Sequence, residues 1–279
     1  MTEEDIAFLA QMVRRRSGLI LPANKARLVV GQLAPVARRF GFRDVASLIG
    51  DLRHGRESLA RAVAEALTTN ESSFFRDKTA FDHFRAEILP QLLGARAKTK
   101  RLRIWCAACA AGQEPYSLAM LLDEAKLAAQ GWMIDLIATD FSSDMIARAE
   151  EGLYTHFEVQ RGLAIRRLVA HFTQEEGNWR INENLRRMVM FRQFNLLDSY
   201  GWLDDLDVVF CRNVLIYFDH KTKADVLDKI ADALAADGTL LLGHTESVRG
   251  LSEVFVPLDH APMLFVKGKA QALKMAVVG

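Results

Sequence analysis

Cysteine is scarce, with three in 279 residues. A small, odd number excludes a disulfide framework and fits a reducing compartment, so a cytoplasmic protein is expected. No apolar run approaches the ~20 residues that a membrane helix requires, so no membrane insertion is expected. The opening Thr2-Glu3-Glu4-Asp5 lacks the basic and apolar blocks of a signal peptide. Neither sign of charge dominates: 36 Lys and Arg face 35 Asp and Glu, which gives no reason to expect nucleic acid as a partner. Internal repeats and low-complexity tracts are absent. Half the residues are hydrophobic and a quarter charged, as in an ordinary globular protein of one large or two smaller domains.

The chain is organised around Arg103 to Ser117, which reads as strand, tight turn and helix. Ile104 and Trp105 begin an apolar run, six small residues follow from Cys106 to Ala111, and Gly112 precedes a helix with Pro115 in its first turn. Leu118, Leu121, Leu122 and Ala125 recur at the spacing of one buried helical face. A turn of small residues lets a ligand approach the backbone at a helix N-terminus, as in nucleotide-like cofactor sites. Trp105-Cys106-x-x-Cys109 also imitates a thioredoxin-type redox motif, which would require a thiolate of lowered pKa. Zinc finds no ligand spacing, since Cys211 stands alone.

The first third is helical. Ile6, Leu9 and Val13 form one stripe of a helix over 3–16, with acids in its first turn, Arg14-Arg15-Arg16 in its last and Gly18 to stop it. A second helix over 23–39 contains Pro35, which should kink it. Shorter helices are expected over 45–52, 59–67 and 79–93. Residues 1–76 hold 12 Lys or Arg against 8 Asp or Glu; Arg27, Arg38, Arg39 and Arg43 form either a solvated face or a docking face for an acidic protein surface or a nucleic acid. Thr68 to Arg76 is a polar segment that either caps a helix or closes over a ligand. Residues 94–100 form a short basic linker.

The remainder alternates strand and helix. Ile134 to Thr139 is a buried strand ending at Asp140, 28 residues after Gly112, where an acid can accept both hydroxyl protons of a ribose. Ser142 can cap the next helix, which ends near Gly152. Residues 153–186 interrupt the alternation with a short helix, a turn over 174–178 and a strand at Trp179-Arg180-Ile181. Val189 and Phe191 resume the sheet, Leu206 to Cys211 continues it, and Asp219 can cap a helix with Leu227, Ile230 and Leu234 inward. A final antiparallel pair flanks His260-Ala261-Pro262.

Six pieces in this order carry a resemblance: Leu67 to Arg76, Gly112-Gln113-Glu114-Pro115-Tyr116-Ser117, Ala138-Thr139-Asp140, Phe194-Asn195-Leu196-Leu197, Phe210 to Phe218, and Gly243-His244-Thr245-Glu246-Ser247. The chain resembles the bacterial chemotaxis receptor methyltransferases, the CheR family, over almost its whole length. That resemblance implies an α/β fold: a Rossmann-like S-adenosylmethionine-dependent methyltransferase sheet over 101–268, with a small β-subdomain inserted at about 153–190. An all-helical N-terminal domain over 1–76 and a helix and linker over 77–100 would precede it, and a tail over 269–279 would follow. The activity it implies is that of a protein-glutamate O-methyltransferase. The enzyme would convert glutamates of chemoreceptor cytoplasmic helices to methyl esters and release S-adenosylhomocysteine.

The resemblance also implies cofactor contacts at Asn70, Ser72, Arg76, Glu114, Asp140, Asn195, Leu196, Arg212, Asn213 and Val214, and no metal. Arg76 would pair with the cofactor's carboxylate and orient the substrate, Glu114 would meet the cofactor's ammonium, Asp140 the ribose, and Asn195 with Leu196 the adenine. Tyr217 and Phe75 would line the methyl group, with Arg76 and Tyr217 as catalytic residues. A glutamate carboxylate is ionised near neutral pH, so no general base is needed. The turn carries Ala108, Ala110 and Ala111 where the family often has Gly, Ser or Thr, and Gln113 where it often has Glu. Glu175-Glu176-Gly177-Asn178 lacks the Gly-x-Gly loop of members that need a receptor C-terminal pentapeptide, so independence from that tether and a monomeric state are expected. A nucleic-acid methylase would want a Pro-Pro-aromatic turn where this chain has Asn213-Val214-Leu215-Ile216. A non-catalytic cofactor-binding module is opposed by intact Arg76, Asp140, Asn195 and Asn213.

Overall fold

The computed structural model describes residues 2–21 and 26–268. The tail over 269–279 and the start of the second helix at 23–25 lie outside the described residues. Four helices open the chain: α1 (Glu3–Ser17), α2 (Ala26–Arg39), α3 (Val45–Leu52) and α4 (Glu57–Ala66). Thr2 and Asp5 form a reciprocal cap at the start of α1, and Gly18 ends it in the left-handed conformation. Pro35 lies inside α2, and Asp44 caps α3 through the Ser47 amide. A continuous helical rod follows, made of α5 (Lys78–His83), a π-helical turn at Phe84–Ile88 and α6 (Leu89–Ala95).

The main sheet begins with β1 (Arg101–Ala107), followed by α7 (Gln113–Glu124), β2 (Met133–Asp140) and α8 (Ser143–Glu151). An insertion holds β3 (Leu153–Tyr154), α9 (His156–Gln160), α10 (Ile165–His171), β4 (Phe172–Glu175), β5 (Asn178–Ile181) and α11 (Glu183–Met188). Then come β6 (Val189–Gln193), β7 (Leu206–Cys211), α12 (His220–Ala233), β8 (Leu234–Leu242), β9 (Phe255–Leu258) and β10 (Ala261–Lys267). The seven-stranded sheet runs β6-β2-β1-β7-β8-β10-β9, and the insertion forms its own sheet β3-β5-β4. All neighbours from β6 to β8 are parallel, while β10 is antiparallel to both β8 and β9. This is the doubly wound sheet with a terminal antiparallel pair that the alternation predicts. β6 starts at Val189 and pairs with β2, as the resumption of the sheet at Val189 and Phe191 predicts. One boundary differs from expectation: Leu234 is buried with Leu227 and Ile230, but it opens β8 and does not belong to the preceding helix.

Alternation along the strands divides the interior in two. Trp105, Ala107, Val209 and Cys211 share one apolar cluster with α1–α4 and α12. Ile104, Cys106, Val208 and Phe210 share the other with the linker rod, α7 and the insertion. The four opening helices are therefore continuous with the core of one sheet face. The basic stretch over 94–100 is not a free tether, because Arg96 pairs with Asp207 at 2.8 Å and with Asp237 at 2.6 Å. The strand order reverses between β1 and β7, and ligands of such sheets bind beyond the carboxyl ends at that point.

Candidate active site

A cleft of about 890 Å³ opens there. One wall comes from the Thr68–Ser72 segment and Arg76, which follow α4. The other comes from the ends of β1, β2 and β7 and from the segments after them, reaching Asn195, Leu196, Val214 and Tyr217. All eleven residues expected at the site line this one cleft: Asn70, Ser72, Arg76, Glu114, Asp140, Asn195, Leu196, Arg212, Asn213, Val214 and Tyr217. Phe75 does not. It is buried, packs edge-on against Phe81, lies under the Arg167 guanidinium at 4.2 Å, and lines a separate pocket with Phe81, Leu121 and Arg167.

The floor is the turn after β1. Ala108 (φ 56°), Ala110 (φ 47°) and Gly112 (φ 90°) all adopt the left-handed conformation, which keeps the turn tight at a cost of about 1 kcal/mol for each alanine. The Cys109 amide donates to the Thr139 carbonyl at 2.9 Å. The Ala110 amide donates to Asp140 Oδ2 at 2.8 Å, and the Ser142 amide to Oδ1 at 2.9 Å. Asp140 therefore bridges the ends of β1 and β2, and each of its oxygens keeps a further lone pair. Burial pushes its pKa from 3.8 up to about 6, while the amides of Ser142 and Ala110 oppose that rise. A polar ligand with two hydroxyls facing Asp140 would complete what the two amides begin.

Arg212 is the buried cation of the site. It donates to Glu114 Oε2 at 2.7 Å, Asp77 Oδ2 at 2.9 Å and the Arg76 carbonyl at 2.8 Å. Glu114 therefore has a resident partner in addition to any ligand. Burial pushes the Glu114 carboxyl up and Arg212 draws it back, while Oε1 accepts no hydrogen bond among the described residues. Arg76 forms no ion pair among the described residues, and its guanidinium donates only to the Glu71 carbonyl, at 2.9 Å. Asn195 also has resident partners. Its amide donates to the Arg16 carbonyl at 2.6 Å and its oxygen accepts from the Leu197 amide at 3.0 Å. The side chain thus ties the end of α1 to the cleft rim and keeps one N–H and one lone pair toward the cleft, beside Leu196.

Glu246 has no role in the sequence reading, although its motif is part of the resemblance. Its carboxylate accepts from the amides of Asn213 (2.7 Å), Gly243 (2.7 Å) and Ile216 (3.3 Å). It holds the left-handed Asn213 (φ 60°) and the turn leading to Tyr217. Gly243 has no room for a side chain, because a Cβ would lie 2.6 Å from Glu246 Oε2. An acid three residues after a strand-ending glycine was the available signal. The redox reading fails on Cys106 and Cys109: both thiols are buried, and burial drives their pKa well up, so neither is a ready thiolate. Among the described residues no group of three or more His, Cys, Asp or Glu is arranged to hold a metal.

The sheet order, the small-residue turn before α7 and the acid closing β2 define an S-adenosylmethionine-dependent methyltransferase. Comparison with known proteins agrees. The model of the CheR methyltransferase SAM-binding domain matches residues 70–263, and that of the CheR all-alpha domain matches residues 4–68. The chain belongs to the CheR methyltransferase family. It is 36% identical over 269 residues to chemotaxis protein methyltransferase 1 of Pseudomonas aeruginosa, covering 95% of this chain and 98% of that one. It is 35% identical to chemotaxis protein methyltransferase Cher2 of Pseudomonas putida, covering 92% and 95%. It is 31% identical to the chemotaxis protein methyltransferase of Escherichia coli, covering 88% and 85%.

Proposed function

We propose that the chain methylates glutamate side chains on chemoreceptor cytoplasmic helices. The observation that carries this reading is the position of Arg76: a cation without an ion pair among the described residues, placed by the segment after α4 on the rim of a cleft made by the sheet. The residues suit S-adenosylmethionine. Asp140 offers two acceptor lone pairs to a ribose, Glu114 Oε1 accepts from an ammonium, and Arg76 receives a carboxylate. Asn70, Ser72, Asn213 and Val214 line the remaining wall. When bound, the cofactor supplies a methyl group activated by a positive sulfonium. The protein's part is placement. A glutamate of pKa ~4.3 arrives ionised, so no base is required, and holding the two reactants in line is worth ~7–11 kcal/mol. Tyr217, on the turn fixed by Glu246, presents an aromatic face beside a cationic centre, and Arg76 steers the incoming carboxylate.

The functional division is 1–76, 77–100 and 101–268, with the insertion as a β-subdomain. The β4–β5 hairpin turns on Glu176 (φ 47°) and Gly177 (φ 82°), a two-residue turn that supports docking without a receptor C-terminal pentapeptide. The chain would act as a monomer in the cytoplasm, and no described helix is long and apolar enough to cross a membrane. The test is transfer of labelled methyl from S-adenosylmethionine to receptor cytoplasmic fragments with and without a C-terminal pentapeptide, with DNA and RNA as parallel acceptors. Equal labelling of both fragments and none of the nucleic acids is expected. Labelling of nucleic acid, or binding without transfer, overturns the reading, and labelling of the pentapeptide-bearing fragment alone overturns independence from the tether.

A further inference from the structure

Glu65 sits in the last turn of α4 and is 8% exposed. It belongs to the helical part of the chain, yet among the described residues its carboxylate bonds only to the sheet part. Oε2 accepts from the Ser143 amide (3.0 Å) and hydroxyl (2.6 Å), and Oε1 accepts from Gln193 Nε2 (2.9 Å). Gln193 Nε2 also donates to the Phe141 carbonyl at 3.0 Å. Phe141 and Asp140 form one corner of the cleft, and Thr68 to Ser72 form the wall opposite. That wall begins beside Glu65, whose own carbonyl accepts from Thr68 Oγ1 at 2.7 Å. One residue thereby grips both walls, and it does not itself line the cleft. Nothing in the family resemblance or the cofactor assignments gives it a role.

We propose that Glu65 is a positioning residue for the cofactor, fixing the Asp140–Phe141 corner against the Thr68–Ser72 wall so that affinity depends on a side chain outside the cleft. This rests on the assignment of the cleft to S-adenosylmethionine. A purely structural staple would act through hydrogen bonds alone, whereas Glu65 also acts through charge. It stands as a second negative charge facing Asp140 and, after burial, helps raise the Asp140 pKa, while the amides of Ser142, Ala110 and Phe141 oppose it. The Cys109 thiol also interacts with Asp140 and is kept neutral by burial. Glu65→Gln keeps the shape and one acceptor oxygen but removes the charge. Glu65→Ala removes the grip.

The experiment is calorimetric titration of the whole chain with S-adenosylhomocysteine from about pH 5 to about pH 8. Wild-type affinity should fall as pH drops through the Asp140 titration. Glu65→Gln, which keeps one of the two acceptor oxygens, should move that acid limb to lower pH and weaken binding at pH 8 less than Glu65→Ala does. Glu65→Ala should weaken binding at pH 8 by about tenfold or more, as expected when several hydrogen bonds to a buried carboxylate are lost. An acid limb that stays in place in Glu65→Gln, or wild-type affinity in Glu65→Ala, overturns the proposal. No binding by the wild-type protein at any pH overturns the cofactor assignment itself, and the proposal with it.

Discussion

Asp140 is under tension in the protein without ligand. Its two oxygens pin the ends of β1 and β2, but burial lifts its pKa from 3.8 to about 6. For an acid raised on folding, the associated stability is fully present below the unfolded value and is lost as pH rises through the folded value. The rise to about 6 withholds about 3 kcal/mol at neutral pH. Between about pH 7.5 and about pH 5, denaturant unfolding should show wild type gaining on the order of 1 kcal/mol relative to Asp140→Ala; a constant difference would refute the raised value. Asp219 works in the opposite sense and in a separate window. Its pKa is lowered to about 2, chiefly by the Thr222 amide and hydroxyl, so its contribution fades only as pH falls below about 4. Glu246 makes a second residue-scale prediction. Replacing it by Ala strands the amides of Asn213 and Gly243, at about 1–3 kcal/mol for each buried donor, and should lower the thermal midpoint together with cofactor affinity. Glu246→Gln, which keeps one strong acceptor, should recover part of both.

At the scale of elements, the turn between β1 and α7 decides the architecture of the floor. Ala108 and Ala110 occupy left-handed positions that glycine adopts freely, so Ala110→Gly should be neutral or stabilise by up to about 1 kcal/mol. Gly112→Ala should destabilise by about 1–3 kcal/mol, because its φ is 90° and a Cβ would lie 2.9 Å from the Ala149 Cβ and 3.2 Å from Tyr154 Oη. Equilibrium unfolding of the two variants checks both signs, and a stabilising Gly112→Ala would contradict the geometry. These elements could be read from the sequence because caps, glycine stops and apolar periods are local. The partners of the site residues could not. Arg16 lies 179 positions from Asn195, and Arg212 lies 98 from Glu114. Residue type marked both as polar site residues, and only the fold shows that each spends part of its side chain on the protein. Phe75 misled for the same reason: adjacency to Arg76 in sequence says nothing about which pocket its ring lines.

At the scale of the molecule, the opening helices are part of the enzyme's working cleft. They share a core with one face of the sheet. Leu19 forms a lone bridge with Phe218, and the Ile20 amide donates to the Tyr217 carbonyl at 2.9 Å. The segment after α4 then supplies Asn70, Ser72 and Arg76 to the cleft. Removing the Arg76 charge should therefore cost about 1.5–3 kcal/mol of ligand interaction with little loss of fold, since among the described residues its guanidinium holds only one backbone carbonyl. The most direct measurement is release of base-labile label from a receptor cytoplasmic fragment incubated with methyl-labelled S-adenosylmethionine and either the wild-type chain or Arg76→Ala. Wild type should form esters that alkali releases as volatile methanol. Arg76→Ala should form them at least about tenfold more slowly with an unchanged thermal midpoint. Label that resists alkali, or an Arg76→Ala variant as active as wild type, would contradict the account.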